Sequence, residues 1–100
     1  MSEENYKFNI PEEIYGQVIE GIDLQILSSD SVRIIEAYVK QEGELSDIQI
    51  RVLNQCENEL EKVLQKSEGN IAKYFAQLQH GVKDVLEKLK RHDVDRKNEI

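Results

Sequence analysis

One hundred residues with a single cysteine, Cys56, allow one domain and exclude a disulfide framework within the chain. The composition, 39% hydrophobic and 33% charged, suits helices with narrow apolar stripes, and no apolar run approaches the roughly 18 residues of a membrane span. The net charge of −7 lies in the first 45 residues, where ten acidic residues face three basic ones; from Ser46 onward ten face ten. Such a chain is repelled overall by duplex phosphate, and its unbalanced half points to a cationic partner.

The opening Met-Ser-Glu-Glu lacks the basic and apolar regions of a leader, and no asparagine stands in an Asn-x-Ser/Thr sequon. With one cysteine, the expected location is cytoplasmic. Tyr6, Phe8 and Ile10 alternate with polar residues, as do Ile22, Leu24 and Ile26, a spacing that permits two short paired strands. An isolated two-stranded ribbon is marginal, however. The preferred reading is an extended arm before Pro11 and one helix running into Leu27. Pro11 suits its first position, Glu12 and Glu13 its first turn, and Ile14, Val18 and Ile22 its apolar face. Ser28-Ser29-Asp30-Ser31 offers N-caps for a following helix with Val32, Ile35, Tyr38 and Val39, closed by Gly43.

Ser46-Asp47-Ile48-Gln49 reads as a capping box, with Leu45 and Ile50 placed as a hydrophobic staple. Ile48, Val52, Leu53, Cys56, Leu60, Val63 and Leu64 then recur on one face of a helix over 46–67. Gly69 is its natural C′ residue and Asn70 the N-cap of the next helix, 70–90. That helix carries Ile71, Tyr74, Phe75, Leu78, Val82, Val85, Leu86 and Leu89 on one stripe, with Gly81 marking a close approach or a slight bend. The short junction makes the two helices an antiparallel hairpin. The polar residues 91–100 are expected to be a disordered tail beyond a single domain of 1–90. The fold expected is all-α and bundle-like, the hairpin plus one or two shorter N-terminal helices. The alternative is α+β with a small N-terminal two-stranded ribbon.

No set of residues converges on a reaction. His80 lies opposite its apolar stripe and His92 in the polar tail; Gln77 and Leu89, three residues before them, are not the glutamates of a di-iron bundle. Cys56 sits on an apolar face, where a thiol is a small core hydrophobe. Glycine-rich phosphate loops, zinc spacing and acidic calcium loops are absent from the sequence. No catalytic, metal or cofactor residue is therefore assigned. Lys83, Lys88, Lys90, Arg91, Arg96 and Lys97 are interleaved with Asp84, Glu87, Asp93 and Asp95, and bases near a helix C-terminus complement its dipole, so nucleic-acid binding is disfavoured.

Protein recognition remains. Glu12, Glu13, Tyr15, Glu20, Asp23, Asp30 and Glu36 are the candidate partner-binding residues of a non-enzymatic module, an inhibitor, immunity or anti-regulator protein masking a basic partner. Replacing Glu12, Glu13, Glu20 and Asp23 by lysine is expected to leave the fold intact. Tyr6, Phe8, Tyr15 and Tyr38 are candidate anchors, although Tyr15 and Tyr38 read more simply as core or core-edge residues. The competing expectation is a homodimer that completes a four-helix core, because the N-terminal elements look too short to cover two long apolar stripes.

Overall fold

The computed structural model describes the chain over residues 8–98, with side chains over 8–91. Three helices, α1 (Leu24–Lys40), α2 (Asp47–Lys66) and α3 (Gly69–Asn98), pack against one another. A 3-10 turn at Glu12–Ile14 and a two-stranded ribbon, β1 (Val18–Ile19) and β2 (Ile22–Asp23), precede them. The architecture is the mainly helical one expected, with a small ribbon added.

The N-terminal third differs most from the sequence reading. The helix expected from Pro11 into Leu27 does not form. Pro11 is extended (ψ 142°), the 3-10 turn stops at Ile14, and Gly16 takes a left-handed φ of 78°. Glu20 and Gly21, at φ 54° and 76°, then make a two-residue hairpin turn of the kind that matches strand twist. The ribbon pairs Val18 with Asp23 and Ile19 with Ile22. The described partner of Ile22–Asp23 is therefore Val18–Ile19, whereas the Tyr6–Ile10 segment offered by the sequence lies partly outside the described residues. The stretch from Ile22 to Leu27 is divided: Ile22–Asp23 is strand and Leu24 opens α1.

The cap of α1 is Asp23, whose Oδ1 accepts from the N–H groups of Gln25 (2.9 Å) and Ile26 (3.1 Å). Ser28 and Ser31, expected at a helix start, lie inside α1 with both side chains in the core. At the other end, Gly43 N–H donates to Tyr38 C=O (2.8 Å) and Glu42 N–H to Val39 C=O (3.2 Å), a Schellman motif. Glu42, at φ 54°, therefore holds the left-handed position expected of Gly43, which follows at φ 87°.

The capping box of α2 is formed as read. Gln49 N–H donates to Ser46 Oγ (3.2 Å), and Ser46 N–H to Gln49 Oε1 (2.9 Å). The Gln49 amide also exchanges two hydrogen bonds with that of Gln41, at 3.2 and 3.3 Å, which ties the end of α1 to the start of α2. Leu53, Cys56, Leu60 and Val63 are buried from α2, and Tyr74, Phe75, Leu78, Val82, Val85 and Leu86 from α3. Ile48 departs from its stripe and is 71% exposed. Ile14, Leu24, Leu27, Ile34 and Ile35 cover the hairpin from the N-terminal side. A fully buried side chain of this size contributes about 1.5–3 kcal/mol.

Gly81 is a close-approach point. A Cβ there would lie 3.1 Å from Ile35 Cδ1 and 3.2 Å from Phe8 Cζ, so its missing side chain admits α1 and the N-terminal arm. The α2–α3 break falls at Ser67–Glu68, two residues earlier than expected, and Gly69 (φ 63°) opens α3. Lys88 pairs with Asp84 (3.0 Å) and Arg91 with Glu87 (2.7 Å), both at the i,i+4 spacing. The helix continues to Asn98 where a disordered tail from residue 91 was expected; residues 99–100 lie outside the described part. With no glycine or proline after Gly81, a nucleated helix adds residues at little cost. No helix among the described residues is long and apolar enough to cross a membrane.

Candidate functional site

Cys56 and His80 sit in different settings. Cys56 is 3% exposed, and its pKa is raised above the ordinary thiol value by burial first. The Ser31 hydroxyl pulls the other way, and the charges of Asp30 and Glu59 push it up further. A thiolate is disfavoured there. His80 is exposed on α3, and among the described residues no three His, Cys, Asp or Glu side chains gather as a metal site. Tyr38, a candidate anchor, is buried at 8% exposure. It lines a recess of about 500 Å³ with Val39, Glu42 and Gly43, at the end of α1 away from the ribbon.

The seven candidate partner residues do not form one cluster. Glu12 and Glu13 are exposed on the 3-10 turn, which packs on α3. Tyr15 follows them, 53% exposed, near enough to Tyr74 to add to the upward pKa shift that burial gives that phenol. Glu20 stands in the hairpin turn. Asp23 is engaged as the α1 cap, so the four-lysine replacement expected to be structurally silent is corrected: losing this cap costs about 1 kcal/mol. Asp30 is half-buried on α1, on the side near Cys56. Glu36 is exposed between Arg33 (i−3) and Lys40 (i+4), so its surroundings on the helix are not acidic.

What the fold does bring together is a strip running from the ribbon onto α1. Val18 and Asp23 are cross-strand partners on the outward face, since Ile19 and Ile22 turn inward. Ile26 lies one turn beyond Asp23, and Asp30 one turn beyond Ile26. Val18 and Ile26 are each 60% exposed, and with Ile10 (44%) and Tyr15 they supply four of the five exposed large apolar side chains among the described residues. The preferred sequence reading placed Val18 and Ile26 on one helix running into Leu27, and the alternative placed Ile26 on a strand. The usable signal was the Glu-Gly turn after Ile19, because period-two alternation from that turn sends Val18 and Asp23 outward.

These side chains fall within a segment that carries charge of one sign only. Residues 8–32 contain Glu12, Glu13, Glu20, Asp23 and Asp30 and no lysine, arginine or histidine. Along the chain, exposed apolar residues thus alternate with carboxylates, and no base stands between Lys7 and Arg33. Such a surface attracts cationic groups over about a Debye length, roughly 10 Å at 0.1 M salt, and offers apolar contact once they arrive. No family model matches this chain, and neither the search of curated proteins nor that of solved structures gives a match.

Proposed function

We propose that this chain is a non-enzymatic protein-binding module that engages a basic protein through its N-terminal segment. The reading is of an inhibitor, immunity or anti-regulator protein acting in the cytoplasm. One observation carries it: the exposed apolar side chains Ile10, Tyr15, Val18 and Ile26 coincide with the base-free stretch 8–32. Apolar groups left in water at a fold's surface favour contact with a partner, and the surrounding carboxylates select its charge.

The test is capture from lysate of the source organism with two baits, the wild type and the variant Glu12→Lys, Glu13→Lys, Glu20→Lys, which spares the Asp23 cap. The expected result is a basic protein held by the wild type at about 0.05 M salt and lost both to charge reversal and at about 0.5 M. Retention of the same protein by the charge-reversed bait would overturn the reading.

Self-association is the second reading. Its motive was a pair of apolar stripes with too little to cover them, and the 17 residues of α1 now supply that cover within one chain. The exposed Ile48 on α2 is the observation that still favours it. A dimer held through Ile48 would persist in high salt and dissociate on Ile48→Glu.

A further inference from the structure

Val18 and Ile26 flank Asp23, the first across the ribbon and the second in the first turn of α1. Val18 is the cross-strand neighbour of Asp23, with Cβ atoms about 5 Å apart in such a pair. Ile26 N–H donates to Asp23 Oδ1 at 3.1 Å, so Asp23 stands between the two positions, paired across the ribbon with Val18 and bonded to the Ile26 backbone. Asp23 caps α1, and the positive helix end offsets its charge. The centre of this strip is therefore less acidic than its margins, where Glu20 and Asp30 stand. An apolar centre inside a charged rim is the usual anatomy of a protein interface. Both side chains are β-branched and lose little rotamer freedom when covered.

We propose that Val18 and Ile26 anchor the docking surface, and that its occupant is a cationic amphipathic segment of a different protein. This rests on the acidic binding reading above. Apolar side chains of the segment cover Val18 and Ile26, and its lysines or arginines face Glu20 and Asp30. Charge decides the occupant. A second copy docking this strip on itself would set Glu20, Asp23 and Asp30 against the same three carboxylates, with no base in 8–32 to answer them.

The experiment measures binding of two short synthetic peptides of equal positive charge at low salt. One carries leucine and lysine at helical spacing; the other has serine in place of every leucine. The wild type is expected to bind the leucine peptide about tenfold or more tightly than the serine peptide, about 1.4 kcal/mol. The double variant Val18→Thr, Ile26→Gln should lose that preference and keep its affinity for the serine peptide. Its helical circular dichroism and urea midpoint establish that it is folded. Amide shifts in the wild type provide an independent readout, with the leucine peptide moving Val18 and Ile26 most.

Equal affinities for the two peptides, or a preference that survives in the double variant, would overturn the anchor while leaving the acidic reading standing. Binding of neither peptide would overturn both. A concentration-dependent dimer that disappears in the double variant would seat a second copy on the strip and overturn the proposed occupant.

Discussion

The Tyr74 hydroxyl and Ser28 Oγ share a buried hydrogen bond of 2.5 Å that joins α3 to α1. One helix turn away, Ser31 Oγ is equally buried and has no well-formed hydrogen bond, with the Cys56 thiol as its polar neighbour. The two serines should thus respond oppositely. Tyr74→Phe leaves Ser28 Oγ unpaired in the core and is expected to cost about 1–3 kcal/mol, whereas Ser31→Ala should be neutral or stabilising. Urea unfolding of both variants, with Ser28→Ala/Tyr74→Phe as the double mutant, checks this. The double variant should recover part of the Tyr74→Phe loss.

Stability should fall at high pH. Burial raises the pKa of both Cys56 and Tyr74, so each holds its proton in the folded state to a higher pH than when unfolded. Their contribution is complete below the ordinary thiol value of 9.0 and is lost as pH rises through the folded values. Cys56→Ala is expected to remove the earlier part of this fall, seen as a flatter urea midpoint between about pH 8 and 10.

Two glutamates occupy backbone conformations that glycine and asparagine adopt more easily. Glu20 lies at φ 54° in the hairpin turn and Glu42 at φ 54° in the α1 cap. Glu20→Asn and Glu42→Gly are each expected to stabilise by about 0.5–1 kcal/mol. Glu20→Gln and Glu42→Gln, measured alongside, separate backbone strain from charge and should leave the thermal midpoint nearly unchanged.

Gly81 sets the distance between α3 and the elements lying across it. Gly81→Ala gains about 1 kcal/mol of helix propensity but crowds Ile35 and Phe8, so a net change near zero is expected. Gly81→Leu forces both side chains aside and should cost about 1–3 kcal/mol. The urea midpoints of the two variants decide this.

Leu78 and Ile48 both belong to apolar stripes, yet the first is fully buried and the second 71% exposed. Leu78→Ala should cost about 2–5 kcal/mol and Ile48→Ala under about 0.5 in the isolated chain. Chemical denaturation at low protein concentration is the measurement.

The pair also marks how far the sequence could be read. Periodicity from Ile71 to Leu89 and the Ser46–Gln49 box gave the buried face of α3 and the start of α2, because both signals are local. By contrast, α3 opens at Gly69, where the C′ residue of α2 was expected. Periodicity does not say how far a neighbour extends, which is why Ile48 stayed uncovered. In the N-terminal third the local signals conflict. Ile14, Val18 and Ile22 satisfy a helical spacing, and two left-handed glycines override it. Ser28 and Ser31 have the chemistry of caps, but Asp23 is already the cap, and the serines become small core residues. The exposed positions of Val18 and Ile26 were hidden by the same conflict, since Val18 lies on a strand and Ile26 on a helix that starts at Leu24 rather than at Pro11.

Serine in α1 and glycine in α3 have one further consequence. The seams that α1 makes with its neighbours include two hydroxyls and a bare Cα, while the residues that α2 and α3 bury are mostly leucine, valine and aromatic rings. Local opening should therefore begin at α1 and the ribbon joined to it, leaving the hairpin as the more slowly exchanging cooperative unit. The strip at Val18 and Ile26 rides on that first-opening part. A ligand held there draws the population toward the closed form, and amide hydrogen exchange should slow through α1 more than through α2 or α3.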